Sequence, residues 1–399
     1  MPDTRAEIPN DWNRAGLPGW AYFSDELFEL ERELLFRTHW QLVCHVSEVA
    51  TPGEYVCLDI ADERGFVIRG LDGKLRAFHN LCRHRGSRVV GDDRGICNKV
   101  LVCPFHGWAY NLDGSLRGIA HRDSFPPMDQ EKMGLKPLDM EVWHGFVFVR
   151  FQPGPQPAVA EIMARHEAEV APYRCADMMA VGQLQWSEAA PVNWKSVRDV
   201  DNEGYHVRQA HPGLHDLYGQ NYHDEPYVNS TSRSLGGFNK NPSRLLSVRA
   251  YRELLPKADH LPKTHQQAWL YIGLFPNLVF GFYPDSVIWY QEIPKGASET
   301  VQQGGVLRYA DESREMRAAR YLSGRIDRDT AEEDRMLTIW SCEATKSSAY
   351  DGIILSDLEY GLASFYNHLE VVTPVVRQAE EPARGTMKAA NAALLGARA

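Results

Sequence analysis

Short apolar runs alternate with turns between residues 37 and 150. EYVCLDI, GFVIRG, LRAFHNL and KVLVCPF are runs of this kind, and Asp72-Gly73 stands between two of them, as Asp113-Gly114 does further on. Short runs joined by Asp-Gly turns indicate hairpins of antiparallel strands. The pattern therefore predicts a small antiparallel β domain, which the run VWHGFVFVRF closes.

Helical spacing precedes this domain. Ser24 is placed to cap a helix through DELFELERELLF, in which Leu27, Leu30 and Leu34 share one face. Residues 1–36 are therefore expected to form an extended arm and a helix that packs on a second domain.

A Pro- and Gly-rich stretch, FQPGPQPAVAE, indicates the boundary between the domains. The pattern beyond it predicts, in order, a helix at 158–171, a mixed helical stretch at 191–211, polar loops at 219–243, strands at 266–310 and a broken helical segment at 311–370. The expected domains are 37–150 and 151–375. The polar, Ala-rich tail 376–399 is not assigned to the core.

Composition narrows the class of protein. A chain of 399 residues exceeds the usual size of one domain. Its net charge of -10 argues against a nucleic-acid-binding surface or a basic membrane anchor. The apolar runs are too short to cross a bilayer, and the N-terminus has no apolar signal-peptide core. Seven cysteines, an odd number, favour a reducing cytoplasm over a disulfide framework.

Two short Cys/His pairs carry the strongest chemical signal. Cys82 and His84 form a C-x-H pair, and after eighteen residues Cys103 and His106 form a C-x-x-H pair. Thiolates and imidazoles select iron–sulfur clusters or zinc. A [2Fe–2S] cluster with two Cys and two His ligands is the Rieske arrangement. A structural zinc site is the alternative, although zinc fingers usually pair Cys with Cys and His with His.

A second candidate site lies at Glu203, His206 and His211. Pro212 follows His211 at once, so a helix end beside His211 is expected. Two imidazoles and one carboxylate from elsewhere form the facial triad of non-haem Fe(II) oxygenases. The alternative is a pair of ordinary core or surface histidines. A Rieske cluster donates single electrons and needs an acceptor, which favours the iron site.

The strands at 266–310 are rich in aromatic residues. Packing within a sheet accounts for at least half of them. Others are candidates for a substrate cavity, where they could stack on a flat ring or hold a quaternary ammonium by cation–π attraction. Lys240, Arg244 and Arg249 could pair with a substrate carboxylate, and their ordinary interpretation is solvated surface charge.

Taken together, these motifs resemble the terminal oxygenase (α) subunit of Rieske non-haem iron, aromatic-ring-hydroxylating oxygenases. The segments that match are FHNLCRHRGSRV, CPFHGWAYNLDGSL, Asn193-Trp194-Lys195, Glu203, Tyr205-His206, His211-Pro212-Gly213-Leu214 and LFPNLVF. The resemblance implies an α+β fold. It would consist of a small antiparallel-β Rieske [2Fe–2S] domain and a helix-grip, steroid-transfer-protein-like catalytic domain with an antiparallel sheet.

The resemblance also implies roles for individual residues. Its cluster ligands match Cys82, His84, Cys103 and His106. His206 and His211 match the ligands of a mononuclear Fe(II), and Glu203 matches the carboxylate that links this iron to a cluster histidine of a neighbouring subunit.

The third iron ligand in the family follows a pattern like E-D-x-x-x-x-E with a later G-L pair. YDGIILSDLEYGL fits best with Asp351 as the ligand, although Tyr350 replaces the first acid. Asp357 and Glu359 are the alternatives.

Two positions depart from the family pattern. Glu203 stands where Asp is most common, and Glu occurs there in relatives that act on quaternary ammonium compounds. Asp199-Val200 replaces an acidic–Asn pair, which removes a side-chain amide.

The expected function is that of a terminal oxygenase, a mono- or dioxygenase. It would use O₂ and electrons from a separate NAD(P)H-dependent flavin/iron–sulfur reductase to hydroxylate a small organic substrate, an aromatic one by first choice. The resemblance implies a homotrimer or a multiple of trimers. An oxidative N-demethylase or monooxygenase of a betaine is the alternative substrate class. A Rieske electron carrier fused to a ligand-binding module is the alternative of another kind.

Overall fold

The computed structural model describes residues 8–397, which divide into two units. The smaller unit comprises Phe36–Glu161 and Ala176–Ala180, and the larger comprises the chain up to Leu35, Ile162–Cys175 and the chain from Val181 onward. Residues 1–7 of the expected arm and residues 398–399 of the expected tail lie outside the described residues. None of the helices in the described chain is long and apolar enough to span a membrane.

The smaller unit is built from antiparallel strands. In chain order these are β1 (Gln41–His45), β2 (Glu54–Ile60), β3 (Glu63–Arg69), β4 (Leu75–His79), β5 (Arg94–Ile96), β6 (Val100–Val102), β7 (Ala109–Asn111), β8 (Leu116–Gly118), β9 (Asp139–Trp143), β10 (Phe146–Arg150) and β11 (Met179–Ala180). Strands β1 to β10 form three sheets, in the orders β1-β10-β9, β4-β3-β2-β5 and β6-β7-β8. The alternating pattern of short apolar runs therefore forms the antiparallel domain that it predicts.

An antiparallel sheet of the larger unit contains seven strands that follow residue 181. They are β12 (Trp186–Ala190), β13 (Tyr222–Val228), β14 (Thr231–Gly237), β15 (Ala268–Leu274), β16 (Leu278–Phe282), β17 (Val287–Gly296) and β18 (Glu299–Arg308). The order is β12-β18-β17-β16-β15-β14-β13. Every residue of β16 is buried, which explains why its run of apolar residues does not alternate with polar ones.

The chain also forms ten α-helices in its described part. They are α1 (Asp25–Glu31), α2 (Val159–Ile162), α3 (Glu167–Val170), α4 (Trp194–Asp201), α5 (Val207–Ala210), α6 (Pro212–Tyr218), α7 (Leu246–Leu254), α8 (Arg314–Ala344), α9 (Tyr360–Val372) and α10 (Met387–Gly396). The long helix α8 packs against α4, α6 and α7. The fold class is the expected combination of helices and antiparallel sheets.

Several local expectations come out differently. The stretch 219–243 holds the hairpin β13–β14 rather than loops, because polar side chains on its half-buried residues conceal the strand pattern. The helix expected at 158–171 breaks into α2, a 3-10 turn and α3. The tail contributes α10, whose Met387 and Asn391 are buried.

Helix α1 begins at the expected cap, since Ser24 Oγ accepts the backbone N–H of Leu27 at 3.2 Å. The helix is held in the larger unit by a buried ion pair. Lys195 Nζ lies 2.6 Å from Glu31 Oε1, and both side chains are fully buried. Trp194 Nε1 donates to the other Glu31 oxygen at 2.9 Å. Both partners are needed, because an unpaired charge cannot be solvated there.

Replacing Lys195 by Met should therefore destabilise the larger unit by about 3–5 kcal/mol, because Glu31 would be left as a buried, unpaired charge. The shift of the urea unfolding transition measures this loss. Lys132→Ala is the matched control, since Lys132 is 83% exposed in its pair with Asp129. A Lys195→Met midpoint as close to wild type as that of the control would contradict the assignment.

Candidate metal centres

The two Cys/His pairs occupy loops with the same backbone hydrogen bonds. Cys82 N–H donates to Ser87 O at 2.8 Å, and Gly86 N–H returns to Cys82 O at 2.9 Å. The second loop repeats this arrangement: Cys103 N–H donates to Trp108 O at 2.8 Å, and Gly107 N–H donates to Cys103 O at 3.0 Å.

Each of these turns requires a left-handed residue. Gly86 has φ +73 and Gly107 has φ +71, a region that glycine enters without steric cost. The glycine in each motif therefore fixes the turn that points a cysteine and a histidine the same way.

The four side chains divide into a buried and an accessible pair. Cys82 and Cys103 are 2% and 3% exposed. His84 is half-buried and His106 is exposed, with 4.6 Å between their ring centroids. Two buried thiols beneath two accessible imidazoles fit a Rieske cluster, in which one iron takes both Cys and the other takes both His.

The surroundings of the four side chains hold them in place. The Trp108 ring stacks on His84 with centroids 5.2 Å apart. The Tyr110 hydroxyl accepts the backbone N–H of Arg83 at 3.0 Å and lies 3.2 Å from Cys82 Sγ. Burial raises the pKa of the Cys82 thiol, and Tyr110 opposes that rise. Tyr110 is therefore placed to stabilise a thiolate at Cys82.

The second site forms where several short helices meet α8. Helix α4 ends at Asp201, and a turn through Glu203 leads to His206, which begins α5. His211 stands between α5 and α6, and Pro212 is the first residue of α6, as the sequence predicts for a helix end at that point. Two histidines five residues apart can face one point because α5 ends at Ala210 and His211 leaves the helical conformation.

Three atoms converge at this site. Nε2 of His206 and Nε2 of His211 are 3.0 Å apart, and Oδ1 of Asp334 lies 2.9 Å from the latter and 3.6 Å from the former. Ligands bound at right angles with metal bonds of about 2.1 Å stand about 3.0 Å apart. The spacing therefore fits three ligands of one metal ion.

Asp334 provides an independent test of that fit. Its Oδ1 atom is buried and lacks a hydrogen-bond partner among the described residues, although His211 Nε2 is near. When both Nε2 atoms are unprotonated, this oxygen faces two lone pairs without a donor, and a cation at the meeting point of the three atoms would remove that cost. His206, His211 and Asp334 form the group in the described chain that is suited to one metal ion.

A second carboxylate orients each imidazole. Glu203 Oε1 bonds Nδ1 of His206, and Glu333 Oε2 lies 2.8 Å from Nδ1 of His211. Carboxylates on Nδ1 hold a proton there and leave Nε2 free to bind metal. Burial lowers the pKa of both histidines, but the hydrogen bonds and charges of Glu203, Glu333 and Asp334 outweigh burial and raise it.

The structure does not bring Asp351 to the two histidines. Asp351 is exposed in the loop between α8 and α9, and the alternatives Asp357 and Glu359 lie in the 3-10 turn that follows it. The carboxylate beside the imidazoles is instead Asp334, in the middle of α8. The signal was present in the sequence, because Glu333-Asp334 supplies the acid pair of the family pattern, whereas Tyr350 interrupts it before Asp351.

The other side chains singled out from the sequence do not belong to the group formed by His206, His211 and Asp334. Lys240, Arg244 and Arg249 are exposed, in keeping with their interpretation as surface charges. Asp199 points to Tyr22 and Tyr366, whose hydroxyls donate to it at 2.6 and 2.8 Å, and burial raises its pKa to about 6.

Family models match both units. A Rieske [2Fe–2S] domain matches residues 39–130, and the catalytic domain of the ring-hydroxylating alpha subunit matches residues 163–373, more than half of the chain. The chain belongs to the ring-hydroxylating oxygenase alpha subunits. The resemblance inferred from the motifs is thereby confirmed, and so is the enzyme class, a Rieske-type oxygenase. The cofactors of this family are a [2Fe–2S] cluster and a mononuclear iron, also as expected.

Individual relatives are similar to parts or all of the chain. The glycine betaine monooxygenase oxygenase subunit of Pseudomonas aeruginosa (strain UCBPP-PA14) is 35% identical over 198 residues, which cover 50% of this chain and 45% of the relative. The chain spans about half the length of the curated relatives that it matches.

Solved structures share the fold over nearly the whole chain. The quaternary ammonium Rieske monooxygenase CntA aligns with a TM-score of 0.76 and 24% identity, over 94% of this chain and 100% of that one. A naphthalene 1,2-dioxygenase aligns with a TM-score of 0.72 and 18% identity, over 97% and 98%.

Replacing Tyr110 by Phe should lower the midpoint potential of the cluster by on the order of tens of millivolts, because one hydrogen bond to a cysteine sulfur would be lost. A redox titration followed by the cluster's visible absorption measures the change. Tyr55→Phe is the control, since Tyr55 belongs to the same core. Equal potentials for both variants would show that Tyr110 does not act on the sulfur.

Proposed function

We propose that this chain is the oxygen-activating component of a Rieske monooxygenase that oxidises a methylated quaternary ammonium compound of the betaine type. The observation that carries the oxygenase part is the convergence of Nε2 of His206, Nε2 of His211 and Oδ1 of Asp334. The same chain carries a second set of metal-binding side chains suited to electron donation. A pure electron carrier would have no use for this second centre.

In this proposal Cys82, His84, Cys103 and His106 hold the cluster, while His206, His211 and Asp334 hold the iron. Asp334 takes the place for which the sequence pattern favoured Asp351. When bound, the cluster supplies single electrons and the iron supplies a site for O₂. Glu203 and Glu333 keep a proton on Nδ1 of each iron-binding histidine, so that the Nε2 lone pairs face the metal.

The reaction balances with two electrons per turnover. A methyl C–H bond next to the nitrogen becomes C–OH, one atom of O₂ enters the product, and the other leaves as water with two protons. The hydroxymethyl ammonium product then breaks its C–N bond to give formaldehyde, a tertiary amine and a proton. The electrons come from a separate reductase that oxidises NAD(P)H.

Glu203 has a further role in this proposal. Its Oε1 holds His206, and its side chain is 9% exposed. In a trimer, this carboxylate would hydrogen-bond to a cluster histidine of the neighbouring subunit as well as to His206, and so connect the two metal centres for electron transfer. Oligomerisation would then complete the electron path.

Two observations favour a quaternary ammonium over an aromatic ring. Glu203 replaces the commoner Asp, and the similar sequences include a glycine betaine monooxygenase. Hydroxylation of an aromatic ring remains the second candidate. It is favoured by the fold shared with naphthalene 1,2-dioxygenase and by the aromatic side chains of β15–β17.

Asp334→Asn should remove about one of three irons per chain, because an amide cannot replace the anionic ligand, and should abolish turnover. Iron analysis of anaerobically prepared protein, together with the cluster's visible spectrum, measures this. Asp351→Asn is the matched control and should keep all three irons. Loss of iron in Asp351→Asn but not in Asp334→Asn would reverse the ligand assignment.

Wild-type protein with its electron supply should release formaldehyde from glycine betaine in proportion to the O₂ consumed. A panel of methylated amines and aromatic acids, assayed for formaldehyde and for hydroxylated products, compares the two substrate classes. The Asp334→Asn variant is the blank. Hydroxylated aromatic products without formaldehyde would refute the betaine assignment.

A further inference from the structure

A chain of hydroxyl groups in the larger unit ends on a carboxylate of α8. The hydroxyls of Tyr218 and Tyr271 are 3.1 Å apart, and those of Tyr271 and Tyr283 are 3.0 Å apart. Tyr283 then donates to Oδ1 of Asp327 at 2.9 Å. Each tyrosine has a single hydroxyl proton, so the chain can run in one direction and terminate at the acid.

Asp327 has no positive partner among the described residues. Its Oδ2 accepts no hydrogen bond from them, and the groups that act on it are the Tyr283 hydroxyl and the like charge of Asp285. Burial raises the pKa of Asp327 to about 8. The side chain nevertheless keeps part of its surface accessible. A half-buried carboxylate with no cation beside it is placed to pair with a cation supplied by a ligand.

Asp327 lies on the same helix as Asp334, the candidate metal-binding carboxylate. Asp327 precedes Asp334 by seven residues, so the two acids share one face of α8, about 10 Å apart along its axis. Thr330 lies between them on the same face. A ligand bound at Asp327 would therefore lie about 10 Å along the helix from Asp334.

Aromatic residues of the sheet form the hydroxyl chain that ends on Asp327. Trp269 and Tyr283 stack with ring centroids 4.0 Å apart, and Tyr271 meets Tyr283 edge to face at 5.8 Å. Tyr271 is half-buried, so part of its surface is also accessible. Trp269 and Tyr283 are fully buried, so Tyr271 is the ring of this group that can offer surface to a cation.

We propose that Asp327 and Tyr271 form the binding site for the positively charged nitrogen of the substrate, with Asp327 as its counter-charge and Tyr283 holding the carboxylate in position. This inference rests on the proposed function and adds the residue that selects a cation. A bound cation stabilises the ionised form of Asp327, whereas a neutral aromatic ring gains nothing from it, so the site discriminates between the two substrate classes.

Binding of glycine betaine tests the proposal when compared with its uncharged carbon isostere, 3,3-dimethylbutanoate. Betaine has a positively charged nitrogen where the isostere has a neutral quaternary carbon. The two molecules share their shape and their carboxylate group. Isothermal titration of the wild-type holoenzyme should give a dissociation constant at least about tenfold lower for betaine. Asp327→Asn should weaken betaine binding about 10- to 100-fold and leave the isostere within about threefold. Equal affinities in the wild type would overturn the proposal.

Proton release provides a readout that does not depend on any variant. An acid with a pKa of about 8 is roughly 0.9 protonated at pH 7, and a bound cation favours its ionised form. Titrations at pH 7 in buffers of different ionisation enthalpy should therefore show nearly one proton released per betaine bound, and none for the isostere. Betaine binding without proton release would contradict the role of Asp327.

The cation site and the proposed demethylation can fail independently of each other in these experiments. Charge-dependent binding at Asp327 without formaldehyde formation would support the cation site and contradict the proposed demethylation. Formaldehyde formation with a dissociation constant unchanged in Asp327→Asn would support the reaction and overturn the cation site. Asp351→Asn is the control for charge removal at an exposed position and should bind betaine like the wild type.

Discussion

The larger unit depends on packing a polar face of one long helix against the interrupted helices that carry the histidines. Helix α8 turns Ser323, Asp327, Thr330, Asp334 and Thr338 toward the interior. A helix buried on a polar face is stable only if each polar group finds a partner. Ser323 bonds Asp285, and Asp327 bonds Tyr283. Asp334 Oδ1 is buried without a hydrogen-bond partner among the described residues, and it lies where the two imidazoles converge.

A metal ion at this point would compensate the Asp334 oxygen, and two further carboxylates orient the imidazoles toward it. Glu203 and Glu333 each hold Nδ1 of one histidine, so both Nε2 lone pairs are available before any ion arrives. In the smaller unit, two loops with the same backbone geometry position the candidate ligands. Its two loops share one hydrogen-bond pattern and one left-handed glycine each, and this places two thiols below two imidazoles. In both units, local backbone geometry determines which ligand atoms are available.

How much the sequence predicts depends on how local each feature is. Cys82 and His84 lie within one turn, as do Cys103 and His106, and the C-x-H and C-x-x-H spacing is therefore sufficient. Asp334 belongs to the middle of a helix that meets the histidines only through tertiary packing, and nothing in the spacing ties it to His206. The hairpin β13–β14 was missed for a related reason, since its half-buried strands carry polar residues. Glu333-Asp334 does match the acid pair of the family pattern, whereas the role of Asp327 follows only from the atoms that the fold places beside it.

The position of the iron tests the central claim most directly. Diffraction data collected at the iron absorption edge from anaerobically grown crystals would locate each iron without reference to activity. The account predicts one anomalous peak within about 2.0–2.2 Å of Nε2 of His206, Nε2 of His211 and a carboxylate oxygen of Asp334, in addition to the two irons of the cluster. A peak ligated by Asp351, or no third peak in iron-replete crystals, would contradict it.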